Sequence, residues 1–419
     1  MNCFLERYSR QMLLSNVGVT GQNDICKSNI VIIGAGGIGS STILFLAAAG
    51  IGNLIIVDFD NIEVSNLHRQ IIHDNDSVGM SKAISAVNQV KLLNPTIEVS
   101  AYQERLAYDN AIDIIRKCDV CIDCTDNVEA RYIINDACVL LNKPLISGSA
   151  IGMEGQITIF SSKHHGPCYR CIHPNPSLSA CQSCSNAGVL GPVPGLIGCL
   201  QAIECIKLIL NTNKQNLSVS PTTTETVTLE PLIGRQLYYD ATMGEFQTFL
   251  LRQRDVHCNV CGDSPTITDM QMCRVSLSTL NLNSLQCNDN NDDVDDDLNI
   301  SVSQYLNTCN ERTPHLLLDV RNEIQFAMIS FKIYQDKDAK ANNKVINFDE
   351  SVTIINLPLK SIHSIDSIKK FSNSNDNNNG NIYVICRRGT DSKTATKLLR
   401  DRFPWKIFNI EGGLTVSMH

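Results

Sequence analysis

Three groups of residues in this chain have types and spacings that suit chemistry. The first is "VIIGAGGIGS" from Val31, a strand pattern that ends in a glycine turn. Gly34 and Gly36 let the backbone turn and approach a phosphate, and Gly39 allows a helix to pack closely. The second is a pair of CxxC motifs, Cys168-Tyr-Arg-Cys171 and Cys258-Asn-Val-Cys261. Each can put two thiolates on one ion, and together they can close a tetrahedral zinc site. Four thiolates leave no open position, so such a zinc is structural. The pairs stand further apart than in a zinc finger, and a redox disulfide is the rival reading. The third is Cys386 in "NIYVICRRGTDSKTATKLLR" from Asn381, where a β-branched run meets a helical pattern. Backbone N–H groups of the loop from Arg387 to Asp391 converge on the sulfur, and a helix entered near Ser392 adds positive potential. With Arg387 and Arg388, these features suit an anionic sulfur that can hold a transferable sulfur atom as a persulfide.

The elements that position the glycine turn are a βαβ unit. A strand over 30–33 precedes the turn, the helix pattern "STILFLAAAG" follows it, and "NLIIVD" is the next strand. Taken alone, this motif would suit a dehydrogenase. Asp58 follows at about the 20-residue spacing of an acid that holds ribose hydroxyls. The next stretch argues against a nicotinamide. "VDFDNIEVSNLHRQ" places Asn66 and Arg69 just past that acid, and Lys82 follows in "VGMSKA". Arginine and lysine there would gather a triphosphate. "CTDN" puts Asp126 and Asn127 at a strand's C-terminal end, with a carboxylate suited to magnesium.

Further strand runs are "DVCIDCT" from Asp119, "KPLISGSA" from Lys143 and "GQITIF" from Gly155. The fold class read from this order is α/β. A Rossmann-like domain over 1–262 is followed by a low-complexity acidic linker over 263–299 containing "CNDNNDDVDDD". "PHLLLDVR", "TIINLPL" and "IYVIC" belong to a smaller α/β domain over 300–419, with "NSNDNNNGN" from Asn373 read as a disordered insert.

The chain has 419 residues and a formal net charge of -8, so bulk charge gives nonspecific nucleic-acid binding no support. It contains 18 cysteines, but "MNCFLERYSR" does not read as a signal peptide. The expectation is therefore reduced thiols in the cytosol, some on metal and some catalytic. The apolar run "GLIGCLQAIECIKLIL" from Gly195 reads as too short and too interrupted to span a bilayer, so no membrane association is expected.

"RYSRQMLL", "GAGGIG", "DFDNIEVSNLHRQ", "GMSKA", "CTDN", "GQITIF" and "GPCYRC" occur in order. In these motifs the N-terminal part resembles the MoeB/ThiF family of ubiquitin-activating-enzyme-like adenylyltransferases. The resemblance implies ATP-dependent adenylation of the C-terminal glycine of a ubiquitin-fold protein, with release of pyrophosphate. It implies an ATP site lined by Gly37, Asp58, Ser65, Asn66, Leu67, His68, Arg69, Lys82, Asp126 and Asn127, with Mg2+ bound. It also implies a homodimer in which Arg10 reaches the phosphates of the neighbouring subunit, and a structural zinc at the two CxxC pairs. In "CQSCSNAGVLGP" the family's cysteine matches Cys184, with Cys181 a possible substitute; a buried small hydrophobe is the bland reading. Ala187 stands where relatives often have glycine.

A cysteine phosphatase uses a similar cradle, but its arginine position is Ser392 here, and Ile385 replaces the usual preceding histidine. "LLLDVR" with Asp319 and Arg321, then "NLPL" and "CRRGTDS", resembles a rhodanese domain. The two-domain order resembles eukaryotic adenylyltransferase–sulfurtransferases of molybdenum cofactor synthesis and tRNA wobble-uridine 2-thiolation. That implies a sulfur carrier ending in Gly-Gly: the molybdopterin synthase small subunit, the ubiquitin-related modifier, or both. It also implies a sulfur donor such as a cysteine desulfurase. Catalytic Cys184 would take the acyl group as a thioester or split an acyl disulfide, and Cys386 would carry the sulfur. Two other readings compete: a modifier-activating enzyme working through a thioester without sulfur transfer, and a noncatalytic scaffold.

Overall fold

The computed structural model describes residues 2–161, 166–174, 188–214, 229–278, 299–311, 315–321, 326, 352–359, 362, 381–386, 390–400 and 406–411. The chain divides into two compact units, Met1–Leu285 and Gln286–His419.

The first unit is built on an eight-stranded sheet of order β3-β2-β1-β4-β5-β6-β7-β8. These strands are β1 Asn29–Ile33, β2 Asn53–Val57, β3 Glu98–Tyr102, β4 Val120–Asp123, β5 Leu145–Ile151, β6 Glu154–Phe160, β7 Arg235–Asp240 and β8 Glu245–Leu250. Pairing is parallel from β3 to β5 and antiparallel from β5 to β8. The continuous apolar runs of β1, β2 and β4 follow from burial on both faces of a parallel sheet. The helices are α1 Asn2–Met12, α2 Gly18–Ile25, α3 Gly37–Ala49, α4 Lys82–Leu93, α5 Ala111–Ile115, α6 Val128–Leu140, α7 Tyr169–Ile172, α8 Pro192–Lys214 and α9 Met270–Ser278.

Two core clusters cover the two faces. One joins Ile30, Ile32, Leu46, Leu54 and Ile197; the other joins Val31, Ile33, Ile55, Tyr132 and Ile134. Strand β1 stands between β2 and β4, so the strand order reverses there, and ligand crevices open at such points.

Two sequence expectations are corrected here. Helix α8 runs 23 residues, because Pro192 starts it before the apolar run. By length and composition it is long enough to cross a membrane. Its buried residues Val193, Ile197, Cys205 and Leu208 belong to the first core cluster, as does Leu46 of α3. The segment after residue 263, expected to be linker, packs into the first unit, since Ile267, Met270 and Cys273 are buried in the second core cluster. The acidic run and the asparagine-rich insert lie outside the described residues.

The second unit has a five-stranded parallel sheet of order β11-β10-β12-β13-β9. Its strands are β9 Asn299–Ile300, β10 His315–Asp319, β11 Val352–Asn356, β12 Ile382–Ile385 and β13 Ile407–Ile410, with helices α10 Val302–Asn310 and α11 Thr390–Arg400. The order reverses again, at β10, which lies between β11 and β12.

Candidate active site

The reversal at β1 forms a cavity of about 380 Å3 lined by Gly34, Gly36 and Gly37, by Asp58, Arg69 and Lys82, and by Asp126 and Asn127. Each residue reaches it from the end of an element. Gly34 follows β1 with φ 98°, and a side chain there would meet the Cys124 carbonyl. A Cβ on Gly39 would collide with the Gly34 carbonyl oxygen, so only glycine lets α3 start this close to β1. The N-terminus of α3, beginning at Gly37, therefore opens onto the cavity, where its unpaired N–H groups suit an anion.

Asp58 follows β2. Its Oδ2 accepts from the Ala35 N–H at 2.7 Å and its Oδ1 from the Asp60 N–H at 2.9 Å. It thus shapes the turn as well as facing the cavity, and burial raises its pKa above the ordinary carboxylate value. Lys82, the first residue of α4, is buried and donates to Asp60 Oδ2 at 2.8 Å. Arg69 donates to the Ser65 carbonyl at 3.1 Å and to His68 Nε2 at 2.7 Å. Burial and the Arg69 charge lower the pKa of that imidazole.

The carboxylates after β4 divide their tasks. Asp123 is buried, and both its oxygens are taken: Thr125 donates to Oδ1 from N–H and hydroxyl, and the Ser147 hydroxyl donates to Oδ2 at 2.7 Å. Asp126 is exposed, and among the described residues nothing pairs with its carboxylate. It is a lining carboxylate that no described residue takes up. Asn127 caps α6, its Oδ1 accepting from the Ala130 N–H at 2.8 Å.

Ser65, Asn66, Leu67 and His68 do not line the cavity. The first two lie in the 3-10 turn Val64–Asn66, and the stretch anchors Arg69 from behind. Arg10 is exposed on α1 and is likewise not among the lining residues of its own chain.

One lining residue, Arg131, and one residue behind the lining, Gln201, escape a sequence reading. Arg131 donates to the Ser147 hydroxyl and to the Thr125 and Gly148 carbonyls at 2.9–3.1 Å. Its one available signal is its place a helical turn beyond the Asn127 cap. Gln201 of α8 is fully buried and ties α3 to β4. It donates to the Asp123 carbonyl at 2.8 Å and accepts from the Thr42 hydroxyl at 3.0 Å and the Cys124 thiol at 3.1 Å.

The two CxxC pairs meet despite their separation. Cys168 Sγ lies 3.8 Å from Cys171 Sγ and 3.6 Å from Cys258 Sγ, and Cys171 Sγ lies 3.4 Å from Cys261 Sγ. All four sulfurs are within 4.8 Å of one another. A disulfide needs about 2.05 Å. A tetrahedral zinc with Zn–S of about 2.3 Å spaces its sulfurs about 3.8 Å apart. The geometry therefore fits a four-thiolate metal site and not a disulfide pair. Thiol hydrogen bonds from Cys168 lower the pKa of both Cys171 and Cys258, and the Asp255 N–H points at Cys171 Sγ at 3.4 Å.

The knuckle also builds the cavity wall. Tyr169 and His173 line the cavity, and the Tyr169 N–H donates to Asn135 Oδ1 at 2.7 Å. Between the cysteines, buried Arg170 grips Asp136 through Nε and Nη2 at 2.8–3.0 Å and lies over the Tyr132 ring. Asp136→Ala would leave that guanidinium buried and unpaired. It is expected to destabilise the first unit by about 3–5 kcal/mol, read as a lower midpoint in chemical denaturation.

In the second unit Cys386 is 1% exposed at the end of β12, and its Sγ is 3.4 Å from Ser392 Oγ in the first turn of α11. Beside it, after β10, Arg321 donates to both oxygens of Asp319 in a buried pair, and Asn356 Nδ2 donates to the carbonyls of Asp319 and Arg321. The loop residues Arg387 and Arg388 lie outside the described residues, as do Cys181, Cys184 and Ala187.

Residues 8–260 match the model of the ThiF family. The chain belongs to the ThiF family. It is 40% identical to the adenylyltransferase and sulfurtransferase MOCS3 of Dictyostelium discoideum, over 98% of this chain and 93% of that protein. It is 38% identical to MOCS3-1 of Zea mays, over 97% of this chain and 80% of that protein. Among solved structures, E. coli MccB with MccA-N7isoASN aligns at a TM-score of 0.52 and 23% identity, covering 61% of this chain and 75% of that one. That likeness is one of fold. The ThiF match includes the cavity and the first three cysteines of the cluster up to Cys258, and ends at residue 260, one residue before Cys261.

Proposed function

We propose that the chain uses ATP to adenylate the C-terminal glycine of a ubiquitin-fold sulfur carrier and then exchanges an oxygen of that carboxylate for sulfur carried on Cys386. The observation that carries this reading is the pairing, in one chain, of a ThiF cavity with a cysteine at the strand-order reversal of a second parallel sheet. The names of the full-length relatives support it.

The cavity suits ATP in size and in its donors. The α3 N-terminus, Arg69 and Lys82 would hold phosphate oxygens, and Asp58 the ribose. Asp126, with its available carboxylate, would hold Mg2+, which supplies neutralisation of charge on the phosphates. Exposed Arg10 would act on the neighbouring subunit of a homodimer. The glycine carboxylate attacks the α-phosphorus and pyrophosphate leaves, giving an acyl adenylate. The terminal sulfur of a Cys386 persulfide then attacks the acyl carbon and AMP leaves, giving an acyl disulfide. A thiolate, for which Cys184 is the candidate, attacks the Cys386 sulfur and expels the thiocarboxylate; a cellular thiol reduces the resulting disulfide. The second unit is read as a rhodanese domain recharged by a donor such as a cysteine desulfurase. The carriers proposed are those of molybdopterin synthesis and tRNA thiolation. Among the described residues no cysteine is in a disulfide, which suits the cytosol.

The first half-reaction is tested by ATP–pyrophosphate exchange. Exchange should require a carrier ending in Gly-Gly and vanish when the last glycine is removed. Exchange indifferent to that glycine would refute the substrate assignment.

Cys168, Cys171, Cys258 and Cys261 would hold zinc, which supplies cross-linking of the knuckle to the segment after β8. About one zinc per chain is expected by elemental analysis. Cys171→Ser should lower the zinc content and the thermal midpoint together, since binding is coupled to folding. Full stability in metal-free protein would count against the site.

A further inference from the structure

His73 is buried behind the glycine turn and does not line the cavity. Its Nε2 lies 3.0 Å from the Ala35 carbonyl oxygen and its Nδ1 2.9 Å from Ser85 Oγ on α4. A carbonyl oxygen only accepts, so Nε2 carries a proton. Burial lowers the pKa of this imidazole, which favours the neutral ring, and Nδ1 then accepts from the Ser85 hydroxyl. The tautomer is thus set by two neighbours from different elements.

Ala35 is the residue between Gly34 and Gly36. Its N–H donates to Asp58 at 2.7 Å, and its carbonyl accepts from His73. Side chains from two separate segments therefore grip both polar groups of this one residue. The rest of the turn is glycine, which samples more backbone conformations than any other residue and must be held if it is to meet a phosphate in one shape. We infer that His73 is a positioning residue that fixes the glycine turn in the conformation that receives the nucleotide phosphates. The inference rests on the ATP reading above and adds a residue that touches neither nucleotide nor carrier.

Two amide substitutions separate this role from mere support of the core. His73→Gln can place its amide nitrogen where Nε2 stands and still donate to Ala35. His73→Asn is too short to do so, but can still meet Ser85. His73→Asn should raise the Kd for ATP by calorimetry, and the KM for ATP in pyrophosphate exchange, about five- to ten-fold, the loss of one hydrogen bond. Its kcat should change by less than about two-fold. His73→Gln should recover the affinity to within about two-fold of wild type, with a thermal midpoint like that of the Asn variant. Equal ATP affinities in the two variants would overturn the inference. If the Asn variant does not fold, Ser85→Ala decides: a Kd raised about two- to five-fold supports the relay, and an unchanged Kd overturns it. A wild-type protein that binds ATP without exchange would refute the proposed reaction, and the Kd comparison would still judge His73. A wild-type protein that does not bind ATP would overturn both.

Discussion

Replacing Asp126 by alanine is expected to cut ATP–pyrophosphate exchange at least about 100-fold while leaving the second unit able to accept sulfur. The reasoning turns on two carboxylates at the end of one strand. Asp123 is buried with both oxygens committed to Thr125 and Ser147, so it holds the loop in shape. Asp126 is exposed at the cavity, and its carboxylate is not taken up by any described residue. Removing it deletes the acid proposed to bring a cation to the phosphates and should leave the fold intact, because no described partner is left unpaired. Asp123→Ala should differ by lowering stability too. Exchange at the wild-type rate in Asp126→Ala would remove the magnesium assignment.

Cys386→Ala is expected to lower thiocarboxylate formation at least about 1000-fold, with exchange unchanged. The thiol ends β12 beside the first turn of α11, at the point where the second sheet reverses its order. A substituent at that point faces the helix N-terminus, and alanine removes the sulfur while keeping the backbone. The residues that line the cavity all belong to the first unit, so adenylation is not expected to need this thiol. Continued sulfur addition by the variant would move the carrier role to another cysteine. Retained acyl transfer to Cys184 without sulfur addition would favour the modifier-activating reading.

The residues legible in the sequence are those whose function is local. The glycine turn, Asp58 and Asp126 follow the end of a strand, Lys82 opens a helix, and Arg69 follows the 3-10 turn, each within a short motif. Chain order alone therefore puts them at one end of a parallel sheet. The apolar runs of β1, β2 and β4 were equally legible, being buried on both faces. Residues joined only by tertiary packing were not. Arg131, Gln201 and His73 work through partners distant in sequence, such as Asp123 for Gln201 and Ala35 for His73. Strand β8, exposed throughout, and the two-residue β9 carry no strong pattern. The segment after residue 263 reads as linker because Ile267, Met270 and Cys273 look unremarkable until the core that receives them is known. The cysteine cluster sits between these cases: each pair is a local signal, and only the fold brings the pairs together.

The most direct test of the central claim is the mass of the carrier's C-terminus. Purified protein is incubated with ATP, magnesium, a sulfur donor and a ubiquitin-fold carrier ending in Gly-Gly. The account predicts a carrier in which one sulfur has replaced one carboxylate oxygen, formed only when ATP and donor are both present. A carrier that stops at the adenylate, or is recovered only as a thioester on the protein with the donor present, would contradict it.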